Sequence, residues 1–442
     1  MGFWKSKKKR IAVIGLDGVS YDFVQEMIGM GELPHFRKLL GEGSTLRMRS
    51  TIPCVSSVAW ASYMTGKNPG KHNIFGFVDR DPESLEVFIP TSKDMGCQSL
   101  WEFLSEQEKR VLVINVPVTY PPKPVNGILI GCFLCTNIDK VAYPKDISRM
   151  LKEKGYRIDV DAWEARKSKE TFLKNLHEAL RKRVEIGLDL YAQEKWDFFQ
   201  LHIMETDRIN HFFWDAWVDK ESPYREAFLQ FYRDIDRAIG EIQRKVDPDS
   251  ELILLSDHGF CLLKKEVNMN FWLKEKGWLK FDPMSTKAAK DIPSDSWAYS
   301  LIPGRIYLNP RKRKDTGKVE SETFERDVMD SLPQLRDPES GERLIERVYR
   351  RDEIYQGPYL EKGPDYIAVP RPGFDLKGNY SSGHLVVPSE IKGMHTDDNA
   401  FLYVRGRHFQ RDHAEIVDVF PTLLALMKLP QPEALDGTSL IR

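Results

Sequence analysis

Three aspartates in this sequence each follow a short apolar run: Asp17 after "RIAVIGL", Asp207 after "WDFFQLHIMET" and Asp257 after "ELILLS". In an open parallel sheet the carboxyl ends of the strands line the ligand crevice. Three carboxylates meeting on one such edge repel one another unless cations stand between them. An aspartate also commonly caps the helix after a strand, so the set is informative where each member alone is not. Histidines sharpen the pattern. "ETDRINH" places Asp207 and His211 four apart, on one face of a helix, a spacing that suits two ligands of one ion. "SDHGF" puts Asp257 and His258 side by side at a strand end, where adjacent side chains diverge and can serve two ions or two sides of one. "GMHTDD" offers His395 in a loop ahead of the strand "NAFLYVRG". A set of carboxylates and imidazoles suits zinc or manganese better than magnesium alone.

The stretch "TIPCVSSVAWASYMTG", residues 51–66, supplies hydroxyls. "VAWASYM" has helical apolar character and Gly66 is placed as its C-cap, so Ser56 and Ser57 stand at the helix start. Backbone N–H groups and the helix dipole favour a phosphate there. A serine at that place beside a divalent metal can be deprotonated and attack phosphorus; without the metal residues it is an ordinary N-cap. Trp60, at helical spacing with Met64, reads as core, and so does His202 within "FFQLHIM". His72 and His384 sit in Gly-flanked loops from which contact with a substrate is the weaker of two readings, whereas His35, His177, His408 and His413 read as surface or helix positions.

The elements that must position these residues alternate between strand-like runs and helical patterns. "SLWEFLSEQEKR" reads as a helix before the strand "VLVINVPV". A long amphipathic helix over 167–193 precedes "WDFFQLHIM", and "YREAFLQFYRDIDRAIGEIQRKV" leads to "ELILLSDHGF". This rhythm predicts an α/β fold with a mostly parallel sheet and helices on both faces. It breaks after residue 262 into a stretch rich in Lys, Asp, Pro and Gly, then resumes with "DYIAVP", "NAFLYVRG" and a terminal helix in "AEIVDVFPTLLALMKL". The expected organisation is a basic N-terminal tail over 1–10, a catalytic core over 11–261 and 356–442, and an insertion over 262–355 that shapes the substrate side.

Composition bounds the function. The 442 residues carry 65 basic and 66 acidic side chains, so no electrostatic footprint for a nucleic acid polymer is present. Hydrophobic content of 41% supports a real core. Five cysteines argue against a disulfide framework and for a reducing, cytoplasmic setting. Cys132 and Cys135 form a lone CxxC that reads as two half-buried side chains at a strand end. No apolar run reaches the roughly 20 residues of a membrane span. The tail "MGFWKSKKKR" matches a myristoylation pattern and carries five basic residues; membrane contact through it is conceivable, but a solvated end is the better reading.

The ordered set Asp17, a hydroxyl before a helix, Asp207-x-x-x-His211, Asp257-His258 and Gly-Met-His395 resembles the alkaline phosphatase superfamily, in particular its type I phosphodiesterase/nucleotide pyrophosphatase branch. "LDGVSYDFV", "VAWASYMTGKNPGKHNIFGF", "VNMNFWLKEKGWL" and "DVFPTLLALMKLPQPEALDGTSL" look like family segments, so the likeness covers nearly the whole chain. The resemblance implies a three-layer α/β/α sandwich and two divalent ions, usually zinc. By position, Asp207, His211 and His395 would hold one ion, and Asp17, Asp257 and His258 the other, with the nucleophile as a further ligand. It places the nucleophile at Ser56, ten residues before Gly66, with Ser57 as second choice, and implies a covalent phospho-serine intermediate. Cys54 lacks the C-x-P-x-R context of sulfatases. Ala59 stands where nucleotide pyrophosphatases typically carry an asparagine, which leaves nucleotide specificity open. The implied activity is hydrolysis of a small phosphodiester or pyrophosphate, including nucleotide-type substrates. The alternatives on the same scaffold are a phosphomonoesterase, a phosphonate hydrolase or a phosphotransferase. A non-catalytic metal-binding protein is the reading from a different class. The sequence leaves the oligomeric state open.

Overall fold

The computed structural model describes residues 10–281, 288–315, 318–380 and 382–441. The chain divides into two compact units, one of residues 1–67, 91–260 and 395–442, the other of residues 68–90 and 261–394. The basic tail read at 1–10 lies outside the described residues except for Arg10.

The first unit is built on a nine-stranded sheet. Its strands are β1 (Ile11–Leu16), β2 (Gly43–Arg49), β3 (Val111–Ile114), β4 (Gly127–Ile130), β5 (Ala142–Tyr143), β6 (Phe198–Ile203), β7 (Glu251–Leu255), β8 (Ala400–Arg405) and β9 (Ala414–Glu415). Their order is β9-β2-β8-β7-β1-β6-β3-β4-β5. The five central strands β7, β1, β6, β3 and β4 run parallel. β8 and β5 pair antiparallel with β7 and β4 at the two sides of this block. The central strands read as unbroken apolar runs because both faces are covered: every residue of β1, β6 and β7 is buried.

Five helices matter for the site: α1 (Ser56–Thr65), α2 (Lys169–Gln193), α3 (Glu205–Val218), α4 (Arg225–Lys245) and α5 (Val419–Met427). One face of the sheet, with Ile11, Val13, Val111, Val113 and Phe198, packs with Ala59, Trp60, Tyr63 and Met64 of α1 and with Phe420, Leu423 and Leu424 of α5. On the other face α2 comes close enough that a Cβ on Gly187 would stand 3.1 Å from Leu201. Helix α2 starts where the sequence pattern places it, with Ser168 accepting the Thr171 amide at 3.2 Å as its cap. The terminal helix starts later than "AEIVDVFPTLLALMKL" implies, because Pro421 lacks an N–H and is tolerated only in a first turn; Ala414–Glu415 instead form a short edge strand on β2. Behind α3, the buried Arg183 of α2 donates to both oxygens of Glu205 at 2.8 and 3.0 Å, fixing the helix that carries Asp207 and His211.

The second unit differs from the insertion expected over 262–355. It starts one residue earlier, extends to Met394 and takes in residues 68–90. "DYIAVP" explains the extension: Tyr366–Pro370 pairs with Ile345–Arg350 and with Arg305–Leu308 in a four-stranded sheet, not with the catalytic sheet. Residues 79–88 form a short hairpin, where Arg80 donates from Nε to the Tyr299 hydroxyl at 3.1 Å and lies 3.8 Å over the Tyr307 ring. Those contacts tie 68–90 to the same core as Trp272, Tyr299, Tyr307 and Phe324. Among the described residues no helix is long and apolar enough to cross a membrane.

Candidate functional site

The carboxyl ends of β1, β6 and β7 bring together all seven residues singled out above, and all lie in the first unit. Asp17 follows β1 directly, Asp207 and His211 are one turn apart on α3, and Asp257-His258 follow β7 after Ser256. His395 lies in a short strand, Gly393–Thr396, where a loop was expected. Four residues are too few to show strand periodicity in sequence.

Asp207, His211 and His395 converge by single atoms. The His395 and His211 Nε2 atoms are 3.0 Å apart, and each lies close to Asp207 Oδ1, at 3.2 and 3.3 Å. Ligand atoms bound to a tetrahedral zinc at 2.0–2.1 Å stand roughly 3.3 Å from one another. The second set shows similar spacing. His258 Nε2 lies 3.3 Å from Asp257 Oδ2 and 3.6 Å from Asp17 Oδ1, and Ser56 Oγ lies 3.0 Å from Asp17 Oδ1 and 3.2 Å from His258 Nε2. The His258 and His395 rings stack at 3.7 Å between the sets, and His258 also falls within 4.8 Å of Asp207 and His395 by ligand atoms.

The remaining polar atoms of these residues are occupied in ways that aim the free ones inward. His395 donates from Nδ1 to the Cys54 carbonyl at 2.8 Å, and His258 from Nδ1 to the Gly259 carbonyl at 3.1 Å. Such contacts fix the tautomer and leave Nε2 for a ligand. Asp257 Oδ1 accepts the Gly18 amide at 3.1 Å, whereas its Oδ2 is buried with no hydrogen-bond partner among the described residues. Asp207 Oδ2 faces Arg208 at 3.4 Å, and Arg208 is itself held by Asp159 at 2.6 Å. Asp17 Oδ2 accepts from Trp60 Nε1 and from His202 Nε2, both at 2.9 Å.

The electrostatics call for a cation. Asp17 and Asp257 are wholly buried side by side. Burial first, and then the charge of Asp17, push the Asp257 carboxyl well above its ordinary range. Burial and the neighbouring His395 pull His258 down to about 3. Burial also works to raise Asp207, but His211 and His395 outweigh it and hold that carboxyl well below its ordinary value. Burying carboxylates without compensation is costly, and the orphaned Asp257 Oδ2 with its 3.3 Å neighbour fits a divalent ion. The donor set, three carboxylates and three imidazoles, suits zinc or manganese. Side-chain exposure rises from zero at Asp17 and His258 to 17% at His395 and 22% at His211, so the site opens to solvent on that side.

Ser56 is the first residue of α1, and its hydroxyl makes no capping bond; Val55 takes the cap position. The amides of Val58 and Ala59 turn back onto the Val55 carbonyl, leaving the Ser56 and Ser57 amides at the open end of the helix. The Ser57 hydroxyl is buried without a partner among the described residues. Gly66 closes the helix in the left-handed region, φ 64°, as a C-cap. His72, for which substrate contact is the weaker reading in sequence, is wholly buried in the second unit, where its Nδ1 accepts the Ile74 amide. His384 is exposed. Cys132 and Cys135 are buried rather than half-buried and neither forms a disulfide; the Cys135 thiol donates to the Asn137 carbonyl at 3.1 Å. The residues missed in sequence are Trp60 and His202, read as core: both are buried, yet each spends its polar atom on Asp17.

No curated protein matches the chain by sequence. Solved structures share its fold. Phosphonoacetate hydrolase from Sinorhizobium meliloti 1021, solved with phosphonoformate, superposes with a TM-score of 0.66 at 15% identity, over 95% of each chain. Murine ectonucleotide pyrophosphatase/phosphodiesterase 5 gives 0.59 at 16% identity, over 97% of this chain and 98% of that one. An inactive form of the murine protein was solved in complex with AMP. These likenesses establish an alkaline phosphatase-like α/β fold with a large, mostly parallel sheet between helices. The profile of the type I phosphodiesterase/nucleotide pyrophosphatase family matches residues 11–398, and the chain belongs to that family of enzymes.

Proposed function

We propose that this protein hydrolyses a small phosphodiester or pyrophosphate through a phospho-serine ester at Ser56, in a site holding two divalent ions. The observation that carries this reading is Ser56 Oγ, 3.0 Å from Asp17 Oδ1 and 3.2 Å from His258 Nε2 at the N-terminus of α1. Family membership supports phosphoester hydrolysis, and the AMP-bound neighbour supports trying nucleotide-type substrates. Asp207, His211 and His395 would hold one ion and Asp17, Asp257 and His258 the other. Bound there, the pair supplies neutralisation of phosphoryl charge and a lowered proton affinity for the attacking hydroxyl.

The chain's own groups do the rest. Asp17 Oδ1 accepts a hydrogen bond from the Ser56 hydroxyl and holds Oγ beside His258. The Ser56 and Ser57 amides, with the helix dipole, receive the phosphoryl oxygens in place of the asparagine that Ala59 does not provide. Ser56 Oγ forms a bond to phosphorus as the bond to the leaving oxygen breaks. The hydroxyl proton passes through solvent to that oxygen, and the second substituent stays on phosphorus. Water then cleaves the Ser56 ester, regenerating the hydroxyl and releasing a phosphomonoester or phosphate. The Arg208 guanidinium, held by Asp159, keeps Asp207 Oδ2 engaged so that Oδ1 faces the site.

The testing experiment compares an aryl phosphodiester with its monoester and with phosphonoacetate, under added Zn²⁺ or Mn²⁺. Faster turnover of the diester and its loss on chelation are expected. Preference for the monoester or the phosphonate would replace the diester reading with the corresponding hydrolase on this scaffold. Activity indifferent to a chelator would remove the metal site from the reaction.

A further inference from the structure

We infer that His202 and Trp60 form a two-donor clamp that positions Asp17 for its ion, making them positioning residues of the site. The inference rests on the function proposed above. Asp17 divides its two oxygens. Oδ2 accepts from His202 Nε2 and from Trp60 Nε1 at 2.9 Å each, and Oδ1 faces Ser56 Oγ at 3.0 Å and His258 Nε2 at 3.6 Å. Two donors from different elements, β6 and α1, fix both the position and the rotation of the carboxyl plane. The two rings brace each other edge to face, with centroids 4.7 Å apart.

The fold makes room for this clamp at a cost. Gly15 pairs with His202 in the parallel register of β1 and β6. A Cβ on Gly15 would stand 2.6 Å from Trp60 Cη2 and 3.2 Å from His202 Cδ2. A glycine inside a fully buried central strand weakens the strand, and here it marks the place where the two rings pass across the backbone. His202 itself is a poor stabilising device. It is wholly buried, Asp17 is the polar partner of its Nε2, and its Nδ1 has none among the described residues. Gln200, two residues earlier on the same face of β6, likewise leaves Nε2 unpartnered. An unsatisfied buried polar atom costs stability that an apolar side chain of similar size would not. The imidazole is therefore explained by what it does to Asp17, not by core packing.

The test measures zinc binding independently of turnover, by competition with a chromophoric chelator that resolves the two binding steps, together with the thermal midpoint of the metal-free protein. His202→Leu is expected to weaken one step by roughly 10- to 100-fold and to leave the other unchanged. Its metal-free midpoint should be equal to or above the parent's. His202→Gln, whose amide can donate from nearly the same position as Nε2, should recover the affinity to within a few-fold. Trp60→Phe, which keeps a ring but removes the N–H, should weaken the same step and serves as the second variant if His202→Leu does not fold. Unchanged zinc binding in these variants, or a Gln variant no better than Leu, would overturn the clamp while leaving the proposed function standing. A parent protein that binds no zinc or manganese would overturn the proposed function itself, and the clamp with it.

Discussion

Ser56→Ala is expected to reduce phosphodiester turnover by at least ~10³-fold while leaving both ions bound and the fold intact. Ser56 opens α1, but Val55 takes the cap position and no side-chain capping bond is made, so the substitution removes no helix-stabilising contact. Its oxygen contacts instead Asp17 Oδ1 and His258 Nε2. The six aspartate and histidine side chains proposed to hold the ions remain in the variant, so zinc stoichiometry measured on the purified protein should match the parent. Loss of turnover with metal content unchanged assigns Ser56 to the chemistry rather than to assembly of the site. Retention of most of the activity would move the nucleophile elsewhere, with Ser57, whose hydroxyl is buried and unpartnered, the next to test.

Asp257→Asn should produce the second-largest effect, and in two opposite directions. Asparagine keeps an oxygen for the Gly18 amide, which Asp257 Oδ1 accepts at 3.1 Å. What it removes is a charge wholly buried beside Asp17. Without divalent ions the parent holds two neighbouring buried carboxylates, and burial together with Asp17 disfavours the ionised form of Asp257. The metal-free variant is therefore expected to melt at a higher temperature than the metal-free parent above neutral pH, where the parent must either carry that charge or bind a proton to avoid it. With zinc added the order should reverse, because an ion that binds only the folded state stabilises it more the tighter it binds and the variant lacks one of the proposed ligands. Turnover should fall on the order of 10²-fold or more, within the range seen when single catalytic donors are removed. Melting curves recorded with and without zinc test this directly; a variant less stable than the parent in both conditions would show that Asp257 serves the fold and not an ion.

Much of the site was legible in the chain because strand ends announce themselves. A short apolar run followed by Asp-Gly at 17–18, or by Ser-Asp-His at 256–258, fixes both the element and the edge of the sheet on which the polar residue emerges. The one-turn spacing of Asp207 and His211 survives directly into α3. Periodicity fails where a polar group is buried to serve another polar group. Trp60 and His202 lie at positions indistinguishable in pattern from plain core, and only the three-dimensional meeting of α1, β1 and β6 brings them to Asp17. A fully buried apolar run likewise does not say which sheet it joins. "DYIAVP" has the composition of a central strand, yet its partners are Ile345–Arg350 and Arg305–Leu308 in the second unit. The hairpin at 79–88 joined that unit through Arg80, a contact with no local sequence signal.

The most direct measurement is the trapping of the covalent intermediate. The metal-loaded protein is mixed with excess aryl phosphodiester, quenched in acid within the first turnover, digested and analysed by mass spectrometry. A form of the peptide that contains Ser56 carrying the phosphoryl group with its remaining ester substituent, after loss of one aryl alcohol, absent from the Ser56→Ala variant and from protein stripped of divalent ions, is the result expected. Product formation in the same samples with Ser56 unmodified at every quench time, and turnover undiminished in the variant, would contradict a nucleophilic Ser56 at this site.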